Sequence, residues 1–316
     1  MRIGTGSFQY TWHDHWANLP DHPSARENGR THGVAVTRTG DVVVFAQCNP
    51  AVLFFDPTGR PKAAWGDRFA GAHGLTLVRE DNTEYLWLVD EKSCEVCKTT
   101  LDGKTVQSID KPPHPAYDTG KYIPTWAAVH PDTGDIWVAD GYGSSLVHRH
   151  DRTGKYLSSL DGSEGAGRFN CPHGIMFSPA GELWIADRAN RRITIYDAQG
   201  KHLRHRDLVT HSPCGFSFSP DGTRVLVPEL FTGIKLLDTA TLDCLAELGA
   251  GAEVGGDYAR FWPPRCPQGW PNLAGTPHVQ PGHFNSPHGA CLAPNGDLYC
   301  VEWIVGGRIT KLELAR

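Results

Sequence analysis

The stretch Asn170-Cys171-Pro172-His173-Gly174-Ile175-Met176-Phe177-Ser178-Pro179-Ala180-Gly181-Glu182-Leu183-Trp184-Ile185-Ala186-Asp187-Arg188 holds two runs of strand-forming residues around Gly181. The next residues, Ala189-Asn190-Arg191-Arg192-Ile193-Thr194-Ile195-Tyr196-Asp197-Ala198-Gln199-Gly200, add a third run and a second glycine turn. The layout is an anchor residue, a strand, a glycine eight residues on, a second strand and a closing acid. It recurs along the chain. His32-Gly33-Val34-Ala35-Val36 leads through Gly40 to Val42-Val43-Val44-Phe45, and His73-Gly74-Leu75-Thr76-Leu77 leads through a longer turn to Leu86-Trp87-Leu88-Val89-Asp90. Trp126-Ala127-Ala128-Val129 passes Gly134 to reach Ile136-Trp137-Val138-Ala139-Asp140. Cys214-Gly215-Phe216 passes Gly222 to reach Val225-Leu226-Val227-Pro228-Glu229, and His288-Gly289-Ala290 passes Gly296 to reach Leu298-Tyr299-Cys300-Val301-Glu302. Self-similarity at a fixed internal spacing marks a repeat architecture.

After each acid comes a third strand, then a turn at Gly59, Gly103, Gly154 or Gly200, then a more polar fourth strand. Four strands in about 40 residues make one propeller blade. Six such units predict an all-β fold, a six-bladed β-propeller. The last unit runs out of chain after Arg308-Ile309-Thr310-Lys311-Leu312. Its outer strand is therefore expected from the N-terminal segment, around Phe8 to Thr11, which closes the ring and removes exposed sheet edges. The rest of residues 1–31 is polar without periodicity and reads as loop. Residues 1–316 read as a single domain, interrupted by an insertion over 249–282 rich in Pro, Gly and Trp. Segments that long are usually functional or disordered. Phe261, Trp262 and Trp270 favour order, and the insertion is expected to cap one mouth of the ring.

A formal net charge of −5 excludes the clustered basic footprint that nucleic acid requires. No apolar run is long enough to span a bilayer, and Met1-Arg2-Ile3-Gly4-Thr5-Gly6-Ser7 lacks the apolar core of a signal peptide. A cytoplasmic protein with small-molecule or protein partners is the expectation. Nine cysteines without a disulfide-like framework agree with a reducing compartment. Cys48, Cys214, Cys291 and Cys300 fall among strand residues and read as buried. Cys94 and Cys97 have metal or redox spacing, but no second pair lies near them, so they too read as structural.

In a propeller the innermost strands line a central channel, so the anchors face the axis from equivalent places. Four anchors are histidines: His32, His73, His173 and His288. Imidazoles converging from separate strands suit zinc or a similar divalent ion with an open position. The alternative is a turn element of the repeat, each imidazole hydrogen-bonding to backbone across the channel; the pattern leaves both readings open. The recurring acids Asp90, Asp140, Asp187, Glu229 and Glu302 are expected to cap the next turn through backbone N–H groups. The residues just after the acid vary between units. Asp140 precedes Gly141-Tyr142-Gly143, and Asp187 precedes Arg188. A tyrosine can exchange a proton with a substrate hydroxyl and an arginine can clamp a carboxylate, against the plainer roles of a packing residue and an ion-pair partner of Glu182 or Asp187.

Phe169-Asn170-Cys171-Pro172-His173-Gly174-Ile175, Ala186-Asp187-Arg188-Ala189-Asn190-Arg191-Arg192-Ile193 and Phe284-Asn285-Ser286-Pro287-His288-Gly289 resemble NHL repeats. Together with Ala139-Asp140-Gly141-Tyr142-Gly143, they resemble the catalytic core of peptidyl-α-hydroxyglycine α-amidating lyase and its bacterial relatives, six-bladed propellers that cleave a hydroxylated Cα–N bond to an amide and glyoxylate. The likeness runs from about residue 8 to 315, outside the insertion. It implies zinc, or another divalent transition metal, on His73, His173 and His288 from blades two, four and six. It further implies Tyr142 as base toward the substrate hydroxyl, with Arg188 assisting. The family's other active-site arginine falls at Gln47, which points to a different or less anionic substrate. Gly289 stands where an acid would help hold a structural calcium, which argues against calcium here. His32 is a fourth axial histidine, available to metal or substrate. The reading is a metal-dependent lyase on a hydroxylated small molecule, with a non-catalytic propeller binding a protein partner, or a metal-dependent hydrolase, as alternatives.

Overall fold

The structure is a computed structural model and describes residues 1–230, 233–250 and 279–315. Its strands form six antiparallel sheets in a ring. Blade one begins with Thr31–Val36 and Val42–Ala46, blade two with Ala72–Glu80 and Thr83–Asp90, and blade three with Trp126–Val129 and Ile136–Asp140. Blade four begins with Pro172–Phe177 and Leu183–Asp187, and blade six with Pro287–Leu292 and Leu298–Glu302. The N-terminal strand Phe8–Ala17 pairs with Arg308–Leu314 and completes blade six, as the count of strands required. A further strand, Arg2–Thr5, then pairs with Phe8–Thr11 and widens that blade. The segment read as loop also contains a five-residue helix, Pro23–Glu27, whose first turn is capped by His22.

Each blade packs against both neighbours, so its strands are apolar on both faces and read as near-continuous hydrophobic runs. Val42, Val43, Val44, Phe45 and Ala46 are all wholly buried. Apolar clusters fill the wedges between adjacent blades. Val34, Val44, Tyr299 and Val301 join blades one and six, and Trp137, Ile175 and Leu183 join three and four. Trp184, Phe216 and Val225 join blades four and five. Burying one such aromatic or aliphatic side chain contributes about 1.5–3 kcal/mol. The outer turns repeat a second device: Asp56, Asp151 and Asp197 each accept the N–H two residues on and again four residues on. The glycine three residues on then takes positive φ, 88° at Gly59.

Blade five departs from the expected pattern. Its inner strand is reduced to Ser217–Phe218, with an isolated bridge from Pro213 to Glu229. Pro228 lies in the facing strand and has no N–H to give, so the ladder is interrupted opposite Cys214 and Gly215. Residues 251–278 of the insertion, with Phe261, Trp262 and Trp270, lie outside the described residues, and so does the cap reading. No helix among the described residues is long and apolar enough to cross a membrane. Cys48, Cys214 and Cys300 are buried as expected, whereas Cys291 is half-buried at one end of the channel.

The five recurring acids cap turns. Asp90 accepts from the N–H groups of Gly71, Lys92 and Ser93, Asp187 from Asn170, Glu229 from His211, and Glu302 from Asn285 and Ser286. In blade three the acid anchors a longer chain. Tyr117 donates its hydroxyl to Asp140 at 2.8 Å and faces His148 Nε2 at 2.6 Å, and His148 Nδ1 meets Ser159 Oγ at 2.7 Å. That direction of donation places a proton on His148 Nε2. Burial pushes the pKa of His148 down to about 3 and that of neighbouring His150 to about 4.

The unfolded chain protonates both near pH 6.5 while the folded chain does not. Their contribution is therefore intact above pH 6.5 and is lost as pH falls toward the folded values, by at most about 1.4 kcal/mol per pH unit for each residue. Urea midpoints are expected to fall between pH 7 and pH 5, less steeply for His148→Gln and His150→Gln. A wild-type midpoint that stays level across that interval contradicts this account.

Candidate metal and active site

At the head of blades one, two, four and six the ladder slips by a residue around the His-Gly pair: Thr31/Gly33, Ala72/Leu75, Pro172/Ile175 and Pro287/Gly289. A bulge re-aims a side chain out of the pleat, and here it turns the imidazole to the axis. Glycine follows because the next blade's backbone is too close for a side chain. A Cβ on Gly74 would collide with the Thr125 carbonyl, on Gly174 with the Cys214 carbonyl, and on Gly289 with the His32 carbonyl.

Three of the rings are held the same way. His73 Nδ1–H donates to Thr125 O at 2.7 Å, His173 Nδ1–H to Cys214 O at 2.7 Å, and His288 Nδ1–H to His32 O at 3.1 Å, each across to the neighbouring blade. His32 differs, bonding Arg30 O just before its own strand at 3.3 Å. The backbone role and the ligand role thus fall on different nitrogens. Nδ1 fixes ring and tautomer, and Nε2 keeps its lone pair for the axis, the arrangement that outer partners impose on metal-binding histidines.

The inward nitrogens converge. His73 Nε2 and His173 Nε2 are 3.2 Å apart, close to the roughly 3.3 Å between two nitrogens that each sit about 2.0–2.1 Å from one tetrahedral ion. The rings of His288 and His73 are centred 4.9 Å apart, and those of His288 and His173 4.8 Å apart. His288 Nε2 is buried without a hydrogen-bond partner. Ligand atoms of His32, His73 and His288 fall within 4.8 Å of one another, and so do those of His173, Cys214 and His288. Burial drives all four histidines well toward the neutral form, His73 to about 3, so no proton must leave before a cation binds. Burial also pushes the Cys214 thiol up to about 12, and its Sγ–H points to Ser212 O. Cys94 and Cys97 belong to no such cluster among the described residues; Cys94 donates to Tyr122 O.

Tyr142 closes the group. Its hydroxyl lies 3.2 Å from His73 Nε2 and 3.0 Å from His173 Nε2. The turn that puts it there is built by Asp140, which accepts from Ile123 N–H at 2.7 Å and Ser144 N–H at 2.6 Å. The flanking glycines are obligatory. A Cβ on Gly143 would run into the Asp140 carboxylate and the Lys121 carbonyl, and one on Gly141 into Pro172 O. Enclosure by protein raises the phenol's pKa above its ordinary value, and the Arg188 guanidinium, 5.3 Å from the ring centroid, pulls it back. Arg188 is not spent on the acids beside it: Glu182 pairs with Arg204 and Asp187 with Arg192.

Above the histidines a cavity of about 470 Å³ opens on the face where the second strands end. Its walls include His32, Glu91, Tyr142, Arg188, Leu230 and Trp303. Four of these, Glu91, Arg188, Leu230 and Trp303, directly follow the acid of their blade. Glu91, Leu230 and Trp303 were not singled out in the sequence, although the register that found Arg188 points equally to them. Gln47 does not line the cavity. It is buried, its Nε2 donating to Glu91 Oε1 at 3.0 Å and its Oε1 accepting from Asn28 Nδ2 at 3.1 Å. A second cavity, about 610 Å³, lies at the other mouth and is largely apolar, with Val34, Leu75, Leu77, Met176 and Phe216 in its walls. His288 borders both. Arg79, Glu80 and His130 line the second, while Glu91, Arg188, Arg191 and His211 line the first, beside Tyr142.

The ring is a six-bladed β-propeller, and its residues 169–196 match the NHL repeat. Within that class the chain resembles peptidyl-α-hydroxyglycine α-amidating lyase. Peptidyl-alpha-hydroxyglycine alpha-amidating lyase 1 of Drosophila melanogaster is 30% identical over 160 residues, covering 46% of this chain and 29% of that protein. NHL repeat-containing protein 3 of Homo sapiens is 29% identical over 228 residues, 67% of this chain and 65% of that protein. The chain thus spans less than two thirds of either relative. Among solved structures, a streptogramin B lyase superposes with a TM-score of 0.64 over 98% of this chain and 100% of that one, at 14% identity, a likeness of fold.

Proposed function

We propose that the chain is a metal-dependent lyase acting on a hydroxylated small molecule, with His73, His173 and His288 as ligands, Tyr142 as base and Arg188 beside it. The observation that carries this reading is the meeting of His73 Nε2, His173 Nε2 and the Tyr142 hydroxyl, with the His288 ring beside them, below a cavity that carries Arg188 and Glu91. Three imidazoles with an open side suit zinc. Zinc held there supplies Lewis acidity toward a substrate hydroxyl and favours the phenolate of Tyr142. The chain does the rest. Tyr142 Oη takes the hydroxyl proton, the carbon–oxygen bond becomes a carbonyl as the bond to the leaving nitrogen or oxygen breaks, and the leaving atom collects a proton. Arg188 keeps positive charge next to the oxygen that gains the proton, and the cavity wall excludes bulk water from the axis.

The amidating lyases named among the relatives support lyase chemistry. The substrate differs in this reading, because the cavity wall carries the Glu91 carboxylate, held by Gln47, where a substrate carboxylate would meet like charge. The test is metal content together with product analysis. Purified protein is expected to carry about one divalent transition ion per chain and to release a carbonyl product from N-acyl-α-hydroxy compounds, with little glyoxylate from hydroxyglycine-extended peptides. Metal-free protein that cannot be reloaded overturns the reading in favour of a non-catalytic propeller that binds a protein. Addition of water to the product instead of elimination identifies a hydrolase.

A further inference from the structure

Among the described residues Glu91 is the one carboxylate on the wall of the upper cavity, which otherwise carries Arg188, Arg191, His211 and Trp303. It follows the blade-two acid directly, so the strand end aims it at the axis, in the register that places Arg188 two blades on. Its carboxylate is held from behind. Gln47 Nε2 donates to Oε1 at 3.0 Å, Gln47 itself is fixed by Asn28, and Asn28 Oδ1 accepts from Arg30 Nη1 at 2.7 Å. This chain of amides orients the carboxylate without neutralising it. Among the described residues no lysine or arginine forms an ion pair with Glu91. Glu91 is half-buried, and among the described residues Gln47 is the donor to its carboxylate, so its remaining lone pairs are open toward the cavity that it lines. Burial raises its pKa, with Lys92 and Arg188 pulling the other way.

Resting on the lyase reading above, we propose that Glu91 determines substrate specificity: it pairs with an ammonium or other N–H donor on the substrate and turns away a carboxylate at that place. Gln47 then acts through Glu91, as a positioning residue, and does not touch substrate. Arg188 lies on the other side of Tyr142, so the cavity presents a donor-seeking wall and a cationic wall with the proton acceptor between them. The substrate class that fits is a hydroxylated, dipolar small molecule whose basic or N–H-bearing end lies toward blade two and whose developing oxyanion lies toward Arg188.

The experiment uses the full chain and three N-benzoyl-α-hydroxyglycine probes that differ only in the terminal group: a free carboxylate, a neutral amide and a 2-aminoethyl amide. A hydrogen bond to a charged partner contributes about 1.5–3 kcal/mol, so wild type is expected to favour the aminoethyl probe over the carboxylate by about 10-fold or more in kcat/KM. The difference should appear mainly in KM. Glu91→Gln is expected to level the probes, and Glu91→Arg to reverse their order, which a merely structural role would not do. Binding is read separately by quenching of tryptophan fluorescence, with Trp303→Phe as the control for the signal. If no probe is turned over, the lyase reading fails, and the order of binding still decides the role of Glu91. Equal binding of the three probes by wild type, preference for the carboxylate, or an order that Glu91→Gln leaves in place overturns the proposal.

Discussion

Tyr142→Phe is expected to lower turnover by about 10²–10⁴-fold while metal content and the thermal midpoint stay near those of wild type. A positioned acid or base is typically worth that factor. The substitution removes one oxygen and keeps the ring under Arg188, so the packing that holds the turn is unchanged. The turn itself depends on Asp140 and the flanking glycines, none of which contacts the phenol oxygen. The hydroxyl lies within hydrogen-bond reach of His73 Nε2 and His173 Nε2 and also meets the Arg188 guanidinium. Its loss leaves both imidazole nitrogens in place, while the guanidinium keeps its position over the ring. A Phe variant within a few-fold of wild type shows that the proton goes elsewhere, and one that loses its metal shows that the hydroxyl belongs to the ligand set.

His173→Ala is expected to abolish stable metal binding, whereas His32→Ala is expected to retain it. The reason lies in how the rings are braced. His73, His173 and His288 each give Nδ1–H to a carbonyl of the next blade, and these bonds leave Nε2 as the nitrogen each ring offers. His32 is tied at 3.3 Å to Arg30 O just before its own strand and stands beside His73 and His288, with ring centroids 4.9 Å and 4.5 Å away. Losing an outer-shell partner costs roughly 10–100-fold in metal affinity, and losing a ligand of a three-nitrogen set costs more. Metal analysis after dialysis, beside far-ultraviolet circular dichroism to confirm the β-fold, decides between the trios. Metal retained by His173→Ala and lost from His32→Ala makes His32, His73 and His288 the ligand set.

The blades were legible because each repeats a one-dimensional pattern whose period is set by local geometry, and because strands packed on both faces leave long apolar runs. The four axial histidines were legible for the same reason: equal register in equal blades means equal place in the ring. The strand Arg2–Thr5 was not, since it exists only by pairing with Phe8–Thr11. The helix Pro23–Glu27 is too short to show periodicity, and blade five lost most of its inner strand to a proline in the partner strand. Glu91 escaped notice because Asp90-Glu91-Lys92 looks like an ordinary polar turn. Its meaning depends on Gln47, 44 residues earlier in another blade, and on a cavity that no local pattern records. The same contact changes the reading of Gln47, whose two polar ends are both taken up within the protein.

The strand that completes blade six comes from the other end of the chain: His13 meets Glu313 across 300 residues, and Arg308 ties Asp14 to Glu302 in the buried seam. The proposed ligands His73, His173 and His288 each lie in a different blade: two, four and six. The proposed metal centre is thus a property of the ring, since no single blade holds more than one of them. An ion bound there favours closure by its own binding free energy, so it acts as a clasp on the circle as much as a reagent within it.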